Sequence, residues 1–294
     1  MTDRKERCRR DGFSLVELLA VLGIIGLLLA LLMPALARSR QAANSVQCLA
    51  TLRSMHLASQ IHANEHRNYL QVAGWHFNLA GGTLGPESLG DPERRRYTYF
   101  NDGGTERPAP LTAALAKSLG TDIRMTSRAE LEADLATERI IRLFRCPSDE
   151  SSPRTGQSQH EVGPAGWSAP PEFSSYVFNE AVLGKRNLQP DRVPPVMGNL
   201  AMIRRPAEVM LAADGRPRNM TNDNWLLVFN GGRKDTLYDF QQVTLGDNAY
   251  GKETLDYNRH RGMINVVFFD GHADAILMTP DGLGTIGVSR GLYD

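Results

Sequence analysis

From Phe13 to Met33 the chain is apolar except for one charge, Glu17, and this run constrains everything that follows. As a helix its 21 residues reach ~32 Å at about 1.5 Å per residue, enough to cross a bilayer core. A carboxylate inside such a helix is costly unless something pairs with it, so Glu17 needs a reason. Ahead of the run stands a short leader with Arg4, Lys5, Arg7, Arg9 and Arg10, five basic residues against three acidic ones. Positive flanks stay on the cytoplasmic face, which sends the carboxyl-terminal part of the chain outward.

The segment Gly12-Phe13-Ser14-Leu15-Val16-Glu17 resembles the processing site of type IV prepilins and type II secretion pseudopilins. The resemblance implies that prepilin peptidase cuts between Gly12 and Phe13 and methylates the amino group of Phe13. Glu17 is then the acid of the motif. It also implies a pilin-like α+β fold: residues 1–12 as leader, 13–33 as transmembrane and filament-core helix, and 34–67 as the amphipathic second half of that helix. Residues 68–294 become an extracytoplasmic head with a carboxyl-terminal antiparallel sheet, short helices and long loops. Pro34 stands near where many pilins kink. Three other readings use the same segment: a secretory signal peptide cut after Ala35-Leu36-Ala37, a twin-arginine signal on Arg9-Arg10, and a plain single-pass anchor. None of them explains Glu17 or the Gly12–Phe13 junction.

The formal net charge is zero. With no basic excess, nucleic acid is not an expected partner. Of the three cysteines, Cys8 would leave with the leader. Cys48 and Cys146 remain on the oxidising side, where a disulfide forms and persists; two independent buried thiols are the other reading. Cysteines are too few for a zinc site of the usual sulfur-rich type.

Residues 35–66 carry helix formers with no Gly or Pro. Val46, Leu49, Leu52, Met55, Ala58 and Ile61 recur three apart as a drifting apolar stripe, with Leu57 able to share the role of Ala58. This helix should end before Asn68-Tyr69. Gly74–Pro110 reads as loop with a short strand near Tyr97–Phe100, and its run Glu93-Arg94-Arg95-Arg96 as a solvated face. Leu111–Leu119 reads as a short helix. Another starts at the capping box Ser127-Arg128-Ala129-Glu130 and runs to about Arg142. Ser151–Pro171 should be loop. Strands are expected at Phe173–Phe178, Val209–Ala213, Trp225–Phe229, Met263–Phe269 and Ala273–Met278, the last two joined by Asp270-Gly271-His272 as a hairpin.

His260, nine further residues and then Asp270-Gly271 resemble a group of prepilin-type proteins abundant in planctomycetes. Cys48, Leu49, Leu52-Arg53, Cys146-Pro147-Ser148-Asp149, Ser175-Tyr176 to Asn179, and Asp214 agree with that group. The same region offers metal candidates in Asp214, Asp270, His272 and Asp274 beside His260, suited to calcium or another hard cation. The competing reading has His260 and Asp270 hydrogen-bonding to anchor the hairpin. Gly81-Gly82-Thr83-Leu84-Gly85 lacks the strand and the Lys-Ser/Thr of a phosphate loop. Ser148-Asp149 has no histidine partner by pattern, and no catalytic triad is visible.

These features add up to a non-enzymatic filament subunit without a required cofactor. Its expected partners are prepilin peptidase, the inner membrane, and further copies of itself or other pseudopilins. Its head would be periplasmic or extracellular, decorating a type II secretion or type IV pilus-like filament. The rivals are a membrane-tethered metal-dependent enzyme and a surface-binding module that is exported by the same route but does not polymerise.

Overall fold

A run of 51 residues, Leu15–Glu65, forms the helix α1. The computed structural model describes residues 15–71, 98–102, 104–109, 111–135, 137–149, 174–179, 182, 198–215, 255 and 259–287. Two compact units divide the chain, Met1–Ala43 and Asn44–Asp294, and α1 contributes to both. In the first unit α1 is long and apolar enough to cross a membrane, and none of its apolar window is buried. The helix continues through Pro34, whose missing N–H forgoes one i→i−4 bond.

In the second unit α1 buries Cys48, Leu52, Met55, Ala58, Ser59, His62 and Ala63. These positions recur three and four apart, with Ala58-Ser59 and His62-Ala63 as adjacent pairs, and keep to one face of a 3.6-residue turn. The expected stripe of strict threes is corrected here: Val46 is 66% and Leu57 55% exposed. A spacing of three turns the side chain by about 60° at each step, so such a stripe walks off the core. The helix closes as expected, with Asn68 in left-handed conformation (φ 68°) and its N–H bonded to Ala63 O at 2.7 Å.

Between this helix and the main sheet lie small elements. β1 (Tyr99–Asp102) and β2 (Thr105–Pro108) pair antiparallel. β1 overlaps the short strand expected near Tyr97–Phe100, and β2 occupies sequence read as loop. α2 (Leu111–Ser118) is buried over its first six residues. The single helix expected from Ser127 to Arg142 is two, α3 (Arg128–Leu135) and α4 (Glu138–Phe144). Thr137 is extended there (φ −70°, ψ 141°), and its hydroxyl donates to Asp134 O at 2.7 Å. The break lets Leu131, Leu135, Ile140 and Phe144 all reach one core. At the start of α3, Ser127 Oγ accepts the Glu130 N–H at 3.3 Å and donates to the Glu130 carboxylate at 3.2 Å.

The main sheet is antiparallel in the order β3-β4-β5-β6. Its strands are β3 (Tyr176–Phe178), β4 (Met210–Asp214), β5 (Met263–Phe268) and β6 (Ala273–Leu277). Alternation along them serves two cores, because successive side chains point to opposite faces. Tyr176, Phe178, Leu211, Val267 and Phe269 join the cluster that includes α1. Val177, Met210, Ala213, Ile264, Val266 and Phe268 join a second cluster with Leu255, Leu283 and Ile286. Leu283 lies on α5 (Pro280–Gly284), capped by Thr279. A register shift between Met210 and Ala212 sets Leu211 and Ala212 in the same cluster, as a bulge does. The apolar helix, the short helices and this four-stranded sheet make an α+β, pilin-like layout. The expected strand Trp225–Phe229 and the loops Ser151–Pro171 and Gly81–Gly85 lie outside the described residues.

Candidate functional site

Two regions carry the candidate residues. In the first, Glu17 lies in the first turn of α1, where the helix dipole favours a carboxylate. Around it Leu15, Val16, Leu18 and Leu19 are 73, 71, 53 and 60% exposed. Gly12 and Phe13 lie outside the described residues.

The second region is a buried polar knot in the head, centred on Arg259. Its guanidinium donates to Ser175 O at 2.6 Å and to Gly215 O at 2.8 Å. It stands 3.3 Å from Asp149 Oδ2 and 3.7 Å from Asp214 Oδ1. Ser175 Oγ adds a 2.5 Å bond to Asp149. Asp214 Oδ2 accepts the Asn265 N–H at 2.8 Å and lies 3.4 Å from His260 Nε2, which is also 3.4 Å from Cys146 Sγ. Asn265 Oδ1 in turn accepts a 3.3 Å bond from Ser45 on α1. Cys146 is disulfide-bonded to Cys48, with Cα atoms 5.3 Å apart. Burial pushes the Tyr176 phenol above its usual range, and the neighbouring Asp214 charge adds to that.

Secondary structure explains why these groups meet. Tyr176 pairs with Asp214 across β3 and β4, so the start of one strand and the end of the next lie side by side. β5 then begins beside Asp214, bringing Arg259, His260 and Asn265 into reach. Four pieces from distant sequence, 146–149, 174–176, 214–215 and 259–265, are thereby tied to one guanidinium and one carboxylate.

The other sequence candidates lie elsewhere. Asp270 and His272 face each other in the β5–β6 turn at 2.6 Å, and His272 stacks on Phe268 with ring centroids 4.1 Å apart. His260 and Asp270 flank β5, whose six residues extend about 20 Å at roughly 3.4 Å each. The structure therefore sets His260 with Asp214 and Cys146, and Asp270 with His272. Asp274 lies on β6 and accepts the N–H of Ala275 at 2.8 Å.

Gly271 has a steric role. Its φ is 91°, and a Cβ there would stand 2.8 Å from His56 Cε1. His56 is itself fixed by a 3.1 Å contact with Phe269 O. Gly271→Ala is expected to cost about 1–3 kcal/mol through left-handed strain and this collision. Urea unfolding of the two proteins measures the loss; an unchanged midpoint would mean the turn relaxes freely.

Sequence reasoning did not find Arg259, Ser45 or Asn265. Asn265 had a readable signal, an amide alone inside Met-Ile-Asn-Val-Val-Phe. Arg259 had none beyond its place next to His260. A further feature unread in sequence is a cavity of about 300 Å³ lined by His62, Glu65, His66, Thr98, Ala114, Lys117 and Ser118. The rings of His62 and His66 stack along one side of the helix, 3.8 Å apart.

The family described as the prokaryotic N-terminal methylation motif matches residues 7–33. No curated protein and no solved structure gives a significant match. The matched span holds the Gly12–Phe13 junction, Glu17 and the apolar half of α1. This amino-terminal match supports the prepilin and pseudopilin-like type.

Proposed function

We infer that this protein is a structural subunit of a pilin-like filament, of the type II secretion or type IV pilus class. The methylation motif over residues 7–33, running directly into a helix whose apolar side chains are uncovered, carries the reading. In the membrane these side chains face lipid; in a filament they pack against the same helix of other copies. In the assembled filament Glu17 pairs with the methylated amino group of a neighbouring Phe13. A charge costly in hydrocarbon then acts as a register device between subunits. The basic leader supports a cytoplasmic amino terminus, and the disulfide supports a head in an oxidising compartment. Arg259 spends its donors on backbone carbonyls and acids of its own fold, which favours a shape-holding knot over a reaction centre.

Mass spectrometry of the mature amino terminus tests the processing step. The expected product starts at N-methylated Phe13. A start at Arg38 would mean an ordinary signal peptide and would end the filament reading. Glu17→Ala is expected to leave membrane insertion and cleavage intact while sharply reducing incorporation into filaments, scored by electron microscopy and cross-linking. Assembly at wild-type efficiency would remove Glu17 from the mechanism.

A further inference from the structure

The cavity at the carboxyl-terminal end of α1 is a feature that filament assembly leaves unused. Its volume is about 300 Å³, and of the residues that line it only Ala114 is apolar. Ligand pockets begin near ~300 Å³, so the space takes a small molecule, one polar enough to replace the hydrogen bonds of the water it displaces. Bonds already made within the wall decide what that molecule must bring. His66 Nδ1 lies 2.8 Å from His62 O; a carbonyl only accepts, so Nδ1 carries the proton and the neutral ring keeps Nε2 as an acceptor. Ser118 Oγ donates to Ala114 O at 3.1 Å, which leaves that oxygen its lone pairs. The Glu65 carboxylate only accepts. Lys117 and Thr98 add donors, an ammonium and a hydroxyl.

We propose that this cavity binds one neutral sugar residue through its hydroxyls, with Glu65, His66 and Ser118 as acceptors and Lys117 and Thr98 as donors. A hydroxyl both donates and accepts, so a ring carrying several of them answers both sets of wall groups. An anion fits worse. α1 closes at Glu65 and α2 at Ser118, and the partial negative charge of two carboxyl-terminal helix ends disfavours it. A simple amine would satisfy the acceptors but would be repelled by Lys117. The wall is also prepared in advance: His62 is buried, its ring stacks on that of His66 at 3.8 Å, and the bond to His62 O fixes His66. Groups held in place before the ligand arrives lose less freedom when it binds. The contact to Glu65 should be the strongest, because a charged acceptor makes a hydrogen bond roughly twice as strong as a neutral one. All of these residues belong to the head, so the site does not depend on polymerisation.

The test uses the full chain in micelles of a detergent without a sugar headgroup, with a chelator present. Ligand-observed saturation-transfer NMR and titration are run with the methyl glycosides of glucose, galactose, mannose and N-acetylglucosamine. The expected result is saturable binding of at least one of them in the millimolar range, as befits a ligand of this size. Glu65→Gln and Lys117→Met, both at exposed positions, should each weaken it about tenfold, the effect of one lost charge-assisted hydrogen bond. Ala114→Phe, which fills the space, should abolish it; because Ala114 is buried and that variant can lose its fold, the two exposed variants carry the decision. Parallel arms use the free reducing sugars: tighter binding of the methyl glycoside supports a glycan chain end as the source, and the reverse supports a soluble sugar. No saturable binding of any of the four glycosides would overturn the site, as would binding that both exposed variants leave unchanged. A preference for methylammonium or inorganic phosphate over every glycoside would overturn it as well.

Discussion

Arg259→Met is expected to destabilise the head by about 3–5 kcal/mol, the usual cost of stripping one partner from a buried charge group. Methionine keeps much of the volume, so the loss reports charge and hydrogen bonds more than packing. Arg259 is 1% and Asp214 0% exposed, and Asp149 only 12%, so both acids would lose a compensating cation with little water to replace it. Two carbonyls, Ser175 O and Gly215 O, would also lose a donor. Arg259→Lys should recover only part of the loss, since a single ammonium cannot reproduce the guanidinium fork. Urea unfolding gives the number. Adding Asp214→Asn to Arg259→Met should cost much less than the two separate losses together, because residues within one network do not add. Simple additivity, or a loss below about 1 kcal/mol, would show that the knot is an exposed-type ion pair of little worth.

Removing the disulfide is the second large effect. Cys48 and Cys146 are 98 residues apart, and a loop of that size is worth about 4.7 kcal/mol on the chain-entropy account. Cys48→Ala with Cys146→Ala is expected to approach that figure. For a domain of this size the melting temperature would fall by roughly 2–4 °C for each kcal/mol lost. Each single variant should match the double one, since either alone breaks the same bond. A double variant within 1 °C of wild type would mean that the loop is already held by other contacts, with α1 and the Phe144 region docked regardless of the covalent link.

Where local pattern and tertiary environment agree, the chain was readable. The apolar run ending at Met33, the Asn68 stop, the Leu111 helix and the β5–β6 hairpin all follow from residues close in sequence. The buried face of α1 was harder, because Val46 and Leu57 are as apolar as the residues that do pack; only a 3.6-residue period separates them. The Thr137 break was hidden because Ala136-Thr137-Glu138 contains no Gly or Pro. Of the β1–β2 hairpin only β2 was missed, for the opposite reason: Thr105-Glu106-Arg107-Pro108 has a composition that looks like loop. The knot was half legible. Cys146, Asp149, Asp214 and His260 stood out through resemblance, yet their assignment to one site needed the β3–β4 register, which no local rule supplies. Arg259 is one arginine among many, and its burial is decided by chain segments far away.

The position of β5 in the sheet has a consequence for biosynthesis. It lies between β4 and β6, and it begins only at Met263. A chain emerging amino terminus first therefore holds β3 and β4 with an unpaired edge and two oily faces until more than 260 residues are out. Such an edge is a template for sticking to other chains. The head cannot mature piecemeal. Truncation anywhere before β6 should yield insoluble or degraded material and no smaller working subunit, and exported chains need shielding until the final hairpin closes.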